Sequence, residues 1–155
     1  MASTYSTNLK LELITNGEQA GTWGDTTNKN LGTLLEQAIS GYTTLSFASG
    51  NQTLSMTDGT SCTARNMFIE CTNAIAASDL TVPTNRKLYF IYNNSGYTIT
   101  VKTSGNPGTE VPNGAKFILV CNGSDIVTAA SYLGYTSGSP TTVSYTHLTL
   151  PTILL

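Results

Sequence analysis

A stripe of apolar residues near residue 35 constrains the fold more than any other feature of this chain. Its members lie at i, i+3, i+4, i+7, i+8 and i+11: Leu31, Leu34, Leu35, Ala38, Ile39 and Tyr42. That spacing places them along one side of an α-helix and cannot place them along one face of a β-strand. The pattern predicts a helix from about Asp25 to Ser40. The stripe must be buried against another surface, because so short a helix is marginal alone in water.

The residues around this predicted helix indicate how it begins and ends. Gly41 stands where a left-handed residue is expected to end the helix. Trp23, the only tryptophan, is expected to anchor the incoming chain to the first helical turn, and a ligand-stacking indole is the alternative. Three residues offer side-chain oxygens that are expected to cap the first amides: Asp25, Thr26 and Thr27.

Beyond Tyr42 the apolar period falls from 3.6 to 2, and about eight short strands are separated by turn residues. The clearest predicted hairpin joins Lys87–Asn93 to Tyr97–Thr103, and Asn122-Gly123 predicts another. Lys87–Asn93 is apolar on both sides, as in a strand that is covered on two faces. The chain is therefore predicted to be mainly β, with an antiparallel β-sandwich or jelly-roll-like domain preceded by an N-terminal arm and one amphipathic α-helix. No period of 20–50 residues repeats clearly, which argues against a solenoid or a propeller.

These patterns divide the chain into three segments. Residues 1–42 are predicted to form an N-terminal arm, a Trp-Gly turn and the helix. Residues 43–135 are predicted to form the antiparallel β domain, and residues 136–155 a linker and a non-native tail. Val143–Thr152 resembles the translation of a sequencing-library adaptor, so we expect the native sequence to end near Thr142. A genuine apolar terminal strand is the alternative.

Composition and charge argue against two classes of partner. Charged residues make up only 10% of the chain and the formal net charge is −2. The lysines and arginines are scattered, which argues against binding of nucleic acid by phosphate neutralisation. No apolar stretch approaches the roughly 20 residues that span a bilayer, so we expect no membrane insertion. The chain also opens without a recognisable signal peptide, so we expect no export by that route.

The residues needed for common catalytic and metal sites are missing from the native part of the sequence. The only histidine, His147, lies in the adaptor-like tail, which leaves no partner for a Ser-His or Cys-His nucleophile. The cysteines lack metal-binding spacing and are predicted to be small buried residues in strands: Cys62, Cys71 and Cys121. No local pattern marks a pair of carboxylates for glycoside cleavage. We therefore predict a protein that is not an enzyme and has no catalytic, cofactor or metal site.

Several strings in the first third of the chain occur together in a known class of proteins: Asn8–Ile14, Gly17-Glu18, Ala20–Gly24, Thr27-Asn28, Asn30-Leu31 and Ala38–Gly41. They resemble the amino-terminal region of bacteriophage tail-fibre and virion structural proteins, which are abundant in phages of marine bacteria. The resemblance continues more loosely through Leu80–Pro83, Tyr89–Gly96 and Val111–Gly123.

This resemblance implies a structural role in the virion. The arm and the Trp-Gly turn would attach to other virion or tail proteins, and three copies of the chain would assemble around a threefold axis. The residues expected to serve the helix interface are Trp23, Leu31, Leu35 and Ile39, with Leu35 at the subunit contact. The 4-3-4 spacing of Leu31, Leu35, Ala38 and Tyr42 is that of a short coiled-coil seam. Leu34 and Ile39 widen it, so part of the stripe is expected to pack on its own domain.

Two other functions remain open from the sequence. A carbohydrate-binding module that contacts the host surface would need exposed aromatic residues on one sheet face or in adjoining loops. A depolymerase domain would need two carboxylates facing each other in a groove. A monomer whose helix lies wholly on its own β-sandwich is the rival of the homotrimer.

Overall fold

The computed structural model describes residues 4–135, so the predictions for residues 136–155 lie outside the described residues. The predicted helix is confirmed as a continuous helical segment in three parts. It runs through α1 (Trp23–Lys29), a π-helical segment (Asn30–Leu35) and α2 (Glu36–Ser40). Because a π-helical turn holds more residues than an α-helical one, Leu31 and Leu35, four residues apart, stay on the same side.

Both ends of the helix differ from the prediction. It begins at Trp23, so Asp25, Thr26 and Thr27 lie inside its first turns, and no side-chain cap is formed at Thr22. The Thr26 hydroxyl instead donates to Gln19 Oε1 at 2.5 Å. These predicted caps are therefore wrong.

Gly41 is not left-handed as predicted but extended, with φ −61° and ψ 132°. The chain continues from it directly into a strand, so no reversal is needed there. A Cβ at this position would lie 2.3 Å from the Gln37 carbonyl oxygen and 2.5 Å from Asn66 Oδ1. Glycine is required at Gly41 by this close approach of the backbone rather than by a positive φ.

The strands occur in the following order: β1 (Thr4–Tyr5), β2 (Glu12–Leu13), β3 (Tyr42–Ser46), β4 (Gln52–Thr53), β5 (Phe68–Thr72), β6 (Ser78–Thr81), β7 (Lys87–Asn94), β8 (Ile99–Lys102), β9 (Thr109–Val111), β10 (Lys116–Cys121) and β11 (Ile126–Thr128). A 3₁₀ turn (Thr63–Arg65) precedes β5, and α3 (Ala129–Tyr132) follows β11. β1 and β2 pair with each other, a five-stranded sheet has the order β11-β10-β7-β5-β3, and a four-stranded sheet has the order β4-β6-β8-β9.

The two larger sheets pack against each other, which confirms a mainly β, sandwich-like domain preceded by a helix. Their inner faces form one apolar core. The five-stranded sheet contributes, among others, Ile69, Cys71, Tyr89, Ile91, Leu119 and Cys121. The four-stranded sheet contributes Leu80, Ile99, Val101 and Val111. Cys71 and Cys121 are thus the buried strand residues that the sequence predicted, whereas Cys62 is half-buried and precedes the 3₁₀ turn.

The strand pairing is not all antiparallel as predicted. From β3 to β8 the chain alternates between the sheets, so that β3, β5 and β7 are parallel in one sheet and β4, β6 and β8 are parallel in the other. Only the later part, from β9 to β11, adds antiparallel strands to these two stacks.

Strands β3 to β8 form three stacked turns of a short solenoid-like coil. The sequence argument against a solenoid is therefore wrong for this part of the chain. Tyr42 is in register with Phe68, 26 residues later, and Phe68 is in register with Phe90, only 22 residues later. The unequal lengths of successive turns leave no constant period in the sequence.

The predicted hairpin of Lys87–Asn93 with Tyr97–Thr103 is also wrong, because β7 and β8 lie in different sheets. Asn93 is fully buried at the corner between them. Its amide nitrogen donates to the carbonyl oxygens of Tyr97 and Val111, each at 2.7 Å, and its Oδ1 accepts from the Ser95 hydroxyl at 2.6 Å. These bonds direct the chain into the second sheet. The predicted hairpin at Asn122-Gly123 is confirmed by the antiparallel pairing of β10 with β11.

Side chains and backbone groups fasten the N-terminal segment to the rest of the chain. Asn30 on the helix accepts from the backbone N–H of Glu12 at 3.1 Å and donates to its carbonyl oxygen at 2.8 Å. Asn85 donates to the carbonyl oxygens of Thr7 and Asn8, at 3.1 and 2.9 Å. The segment is therefore bound both to the helix and to the loop before β7.

Candidate assembly surfaces

The helix buries only one edge of its apolar stripe on its own chain. Leu34 is fully buried and Ala38 is 5% exposed, whereas Leu31 and Ile39 are 57% and 58% exposed. Leu35 lies between these two edges and is half-buried. A helix lying wholly on its own β domain would cover both edges. The exposed edge leaves an apolar surface for a partner, here called the helix face and defined by Trp23, Leu31, Leu35 and Ile39.

Trp23 does not serve as the predicted anchor, since it is 61% exposed. It is the first residue of the helix rather than the residue before its cap, and a staple needs the earlier position. Its indole thus adds apolar surface at the start of the helix.

A second apolar surface covers the outside of the five-stranded sheet. Tyr42, Phe68, Phe90 and Ile118 form one row across four adjacent strands. The Phe68 and Phe90 rings stack with their centroids 4.9 Å apart, and a shallow groove of about 370 Å³ lies along the row. Leu88, two residues before Phe90 on β7, is 41% exposed, and Ile118 is 47% exposed. This outer sheet face is defined by Tyr42, Phe68, Leu88, Phe90, Tyr92 and Ile118.

Sequence reasoning missed this surface although its signal was present. The apolar character of Lys87–Asn93 on both sides predicted a strand covered on two faces. The structure covers the side that carries Tyr89 and Ile91 and leaves the side of Leu88 and Phe90 on the outside of the sheet. A strand apolar on both sides and exposed on one marks a surface that can be buried by association.

A polar row lies beside the aromatic row on the same face. Thr44, Glu70, Tyr92 and Lys116 are in register on β3, β5, β7 and β10. The Glu70 carboxylate accepts from the Tyr42 hydroxyl and from the Asn94 amide, the latter at 3.0 Å. These bonds lower the pKa of the Glu70 carboxyl, and the bond to Glu70 raises the pKa of Tyr42. The Lys116 ammonium lies 4.6 Å from the centroid of the Tyr92 ring.

The outside of the four-stranded sheet differs in chemistry. Its half-buried or exposed positions are polar or charged: Asp79, Thr81, Thr100, Lys102 and Glu110. The Lys102 ammonium and the Asp79 carboxylate form an ion pair at 2.5 Å. This face can remain in water without a partner.

On the inner side of β7, Lys87 holds the end of the 3₁₀ turn. Its ammonium donates to the carbonyl oxygens of Ala64, Arg65 and Asn66, at 3.0, 2.7 and 2.7 Å. Burial lowers the pKa of Lys87 to about 7, and the neighbouring Arg65 guanidinium acts in the same direction. Arg65 is itself fully buried and donates to the carbonyl oxygens of Thr57 and Thr60, at 2.7 and 2.9 Å. The backbone carbonyls that surround these two cations give them a structural role.

Residues 4–135 contain no group of three or more histidine, cysteine, aspartate or glutamate side chains placed to hold a metal ion. None of their helices has the length and apolar character needed to cross a membrane.

Comparisons with protein-family models, with curated proteins and with solved structures found no match to this chain.

Proposed function

We propose that this chain is a non-enzymatic structural protein of a bacteriophage virion, similar to a tail fibre, that acts in particle attachment and oligomeric assembly. The observation that carries the proposal is the helix face, where Leu31 and Ile39 remain exposed beside the buried Leu34. An exposed apolar helix surface of this kind is a normal basis for association between chains.

The proposed assembly is a homotrimer in which the helix faces of three copies meet around a threefold axis. Leu35 is half-buried between the two edges of the stripe, which suits a residue at the subunit contact. The N-terminal arm and the turn that precedes Trp23 would dock on other virion or tail proteins. The protein would be made in the cytoplasm of the bacterial host and incorporated there into the particle.

Sedimentation velocity tests this assembly on the full chain. Wild-type protein at micromolar concentrations should contain three copies or a multiple of three. Leu35→Asp should fold and have a mass below that of a trimer, because a carboxylate at the contact would be buried without a partner. Thr33→Asp is the matched control, since Thr33 is exposed on the same π-helical segment but lies outside the stripe.

A double variant, Leu31→Asp/Ile39→Asp, keeps the test decisive if Leu35→Asp does not fold. Both residues are more than half exposed, so the double variant should retain the circular dichroism of the wild type. A wild-type chain that sediments as a monomer throughout the micromolar range would contradict the trimer. A double variant with unchanged mass would exclude the helix face as the contact.

The alternative function, a carbohydrate-binding module that contacts the host surface, is favoured by the outer sheet face. Tyr42 is 60% exposed beside the stacked rings of Phe68 and Phe90, and aromatic surfaces of this kind can stack on sugar rings. Retention on host polysaccharide tests it. Retention that is lost in Tyr42→Ala and kept in Thr100→Ala would support this alternative, and no retention of the wild type would exclude it.

A further inference from the structure

The outer sheet face carries charges in an arrangement that matches itself. Among the described strand residues that point outward from this sheet, the charged ones are Glu70 on β5 and Lys116 on β10. Both are in register with Tyr92 on the strand between them, β7. The acid and the base therefore flank β7 on opposite sides at the same level, about 10 Å apart across two strand spacings.

We propose that a second copy of this chain packs face to face on the outer sheet face. The two copies are related by a twofold axis that lies between them, parallel to β7 and directly above it. Rotation about such an axis exchanges the β5 side of the sheet with the β10 side. Each row of residues keeps its position along the strand direction. Glu70 then lies opposite Lys116 of the partner subunit, and Lys116 lies opposite Glu70 of the partner subunit. A twofold contact of this type is isologous, so one surface serves both copies.

The aromatic row fits the same arrangement. Phe90 lies on β7 and therefore faces its own copy across the axis, while Phe68 and Ile118 flank it in the same row and exchange places across the contact. Face-to-face packing of two sheets buries side chains in a layer about 10 Å thick, and a row of aromatic and aliphatic residues can fill it. The exposed parts of Tyr42, Leu88 and Ile118 would then be covered.

The polar groups of this face favour a second copy over a sugar. Specific sugar binding needs hydrogen-bonding groups that are free to meet hydroxyls, in addition to aromatic stacking. The Tyr42 hydroxyl and the Asn94 amide both donate to Glu70, and the Lys116 ammonium lies over the Tyr92 ring. These contacts engage the polar groups of the row within the chain itself, and the charges of Glu70 and Lys116 complement each other across the twofold axis.

This contact is separate from the helix face and does not depend on the proposed role in a virion. The sheet contact joins copies in pairs, whereas the helix contact joins them in threes. With both contacts intact, wild-type trimers should associate further through the sheet. With the helix contact broken in Leu31→Asp/Ile39→Asp, the sheet contact alone should leave a dimer in equilibrium with the monomer.

Charge reversal in the full chain tests the pairing. Glu70→Lys places an ammonium group opposite Lys116 of the partner subunit, and Lys116→Glu places a carboxylate opposite Glu70 of the partner subunit. Each variant alone should weaken the sheet contact by about tenfold or more, because like charges then face each other. An equimolar mixture of the two should restore it, since every facing pair in a mixed dimer is then of opposite charge. Sedimentation equilibrium in the Leu31→Asp/Ile39→Asp background measures the dissociation constants.

The controls separate charge from folding. Glu70→Gln keeps an acceptor for Tyr42 and Asn94 without the charge, and it should weaken the contact less than Glu70→Lys does. Thr100→Lys adds the same charge to the outside of the other sheet and should leave the dissociation constant unchanged. Dimers that are unaffected by either reversal, or a mixture no stronger than its components, would overturn the proposal.

Ile118→Asp distinguishes this inference from the proposed function. It should abolish the dimer in the helix-face background while leaving wild-type helices able to form trimers. If Ile118→Asp leaves every mass unchanged, the sheet contact is excluded and the trimer stands. If the helix variants leave the mass unchanged while charge reversal lowers it, the trimer fails and the sheet contact stands. If Ile118→Asp changes only the retention on host polysaccharide, the occupant of this face is a sugar, which also overturns the proposal.

Discussion

In both packed sheets, inward-facing residues alternate with outward-facing residues along the strands. The two outer faces differ in the kind of side chain that they expose. The five-stranded sheet presents a row of Tyr42, Phe68, Phe90 and Ile118. The four-stranded sheet presents polar and charged residues, including the Asp79–Lys102 ion pair. Inward, both sheets contribute fully buried aliphatic residues to one core. The difference teaches that one face needs no cover in water whereas the other exposes apolar side chains that association would bury, and that the fold alone does not dictate which face does so.

The largest expected effect is the loss of stability when an isoleucine on an inner sheet face is truncated, compared with one on the outer face. Ile91→Ala and Ile99→Ala remove buried methyl and methylene groups from the two sheets, and each should lower the free energy of unfolding by about 2–5 kcal/mol. Ile118→Ala, on a side chain that is 47% exposed, should cost clearly less because water already covers much of it. Urea denaturation of the three variants measures these values. Equal losses for Ile91 and Ile118 would mean that the outer sheet face is already buried in the species being unfolded.

The next largest expected effect is a pH dependence of stability that arises from Lys87, on the inner side of the five-stranded sheet, and not from Lys116, on its outer side. Burial lowers the pKa of Lys87 to about 7, against an ordinary value of 10.5 in the unfolded chain. Between these values the unfolded state binds a proton that the folded state does not, so stability rises with pH through this window. The penalty for the buried charge is fully present below pH 7 and is relieved as the pH rises towards 10.5.

The measurement for Lys87 is urea denaturation of wild type and Lys87→Met at about pH 6, 7, 8 and 9. The stability of the wild type relative to this variant should be flat at first and should then increase by up to about 1.4 kcal/mol for each pH unit above about 7. Lys116→Met removes a lysine from the exposed side and is the matched control. A difference between wild type and Lys87→Met that stays constant across this range would show that the three carbonyl bonds offset the effect of burial.

The comparison of the two sheets also shows how far the sequence could predict the fold. The helix was predictable because its stripe is local, and the width of that stripe already implied that part of it packs on its own domain. The parallel strand pairing was not predictable, because neighbours such as Tyr42 and Phe68 are 26 residues apart and no local pattern connects them. Asn94-Ser95-Gly96 has the composition of a hairpin turn, yet the buried amide of Asn93 directs the chain into the other sheet.

The two candidate surfaces were predictable to different degrees, because one depends on local residue spacing and the other on pairing between distant strands. Leu31, Leu35 and Ile39 of the helix face followed from residue spacing, and Leu31 and Ile39 are exposed. The outer sheet face depends on the register of strands distant in the sequence, which brings Glu70, Tyr92 and Lys116 into one row. Only the three-dimensional pairing shows that these two charges flank β7 on opposite sides, next to Tyr92.

The smallest expected effect concerns the ion pair on the polar face. The side chains of Lys102 and Asp79 are 28% and 33% exposed, so water screens much of their attraction. A double-mutant cycle with Asp79→Asn and Lys102→Met should give a coupling energy of about 0.2–1 kcal/mol, which decreases further in concentrated salt. Neither single variant should change the oligomeric mass, because the four-stranded sheet exposes polar groups that are satisfied by water and by each other. A coupling energy well above this range, or a change of mass in either variant, would mean that this face is also covered by a partner, and the contrast between the two sheets would then fail.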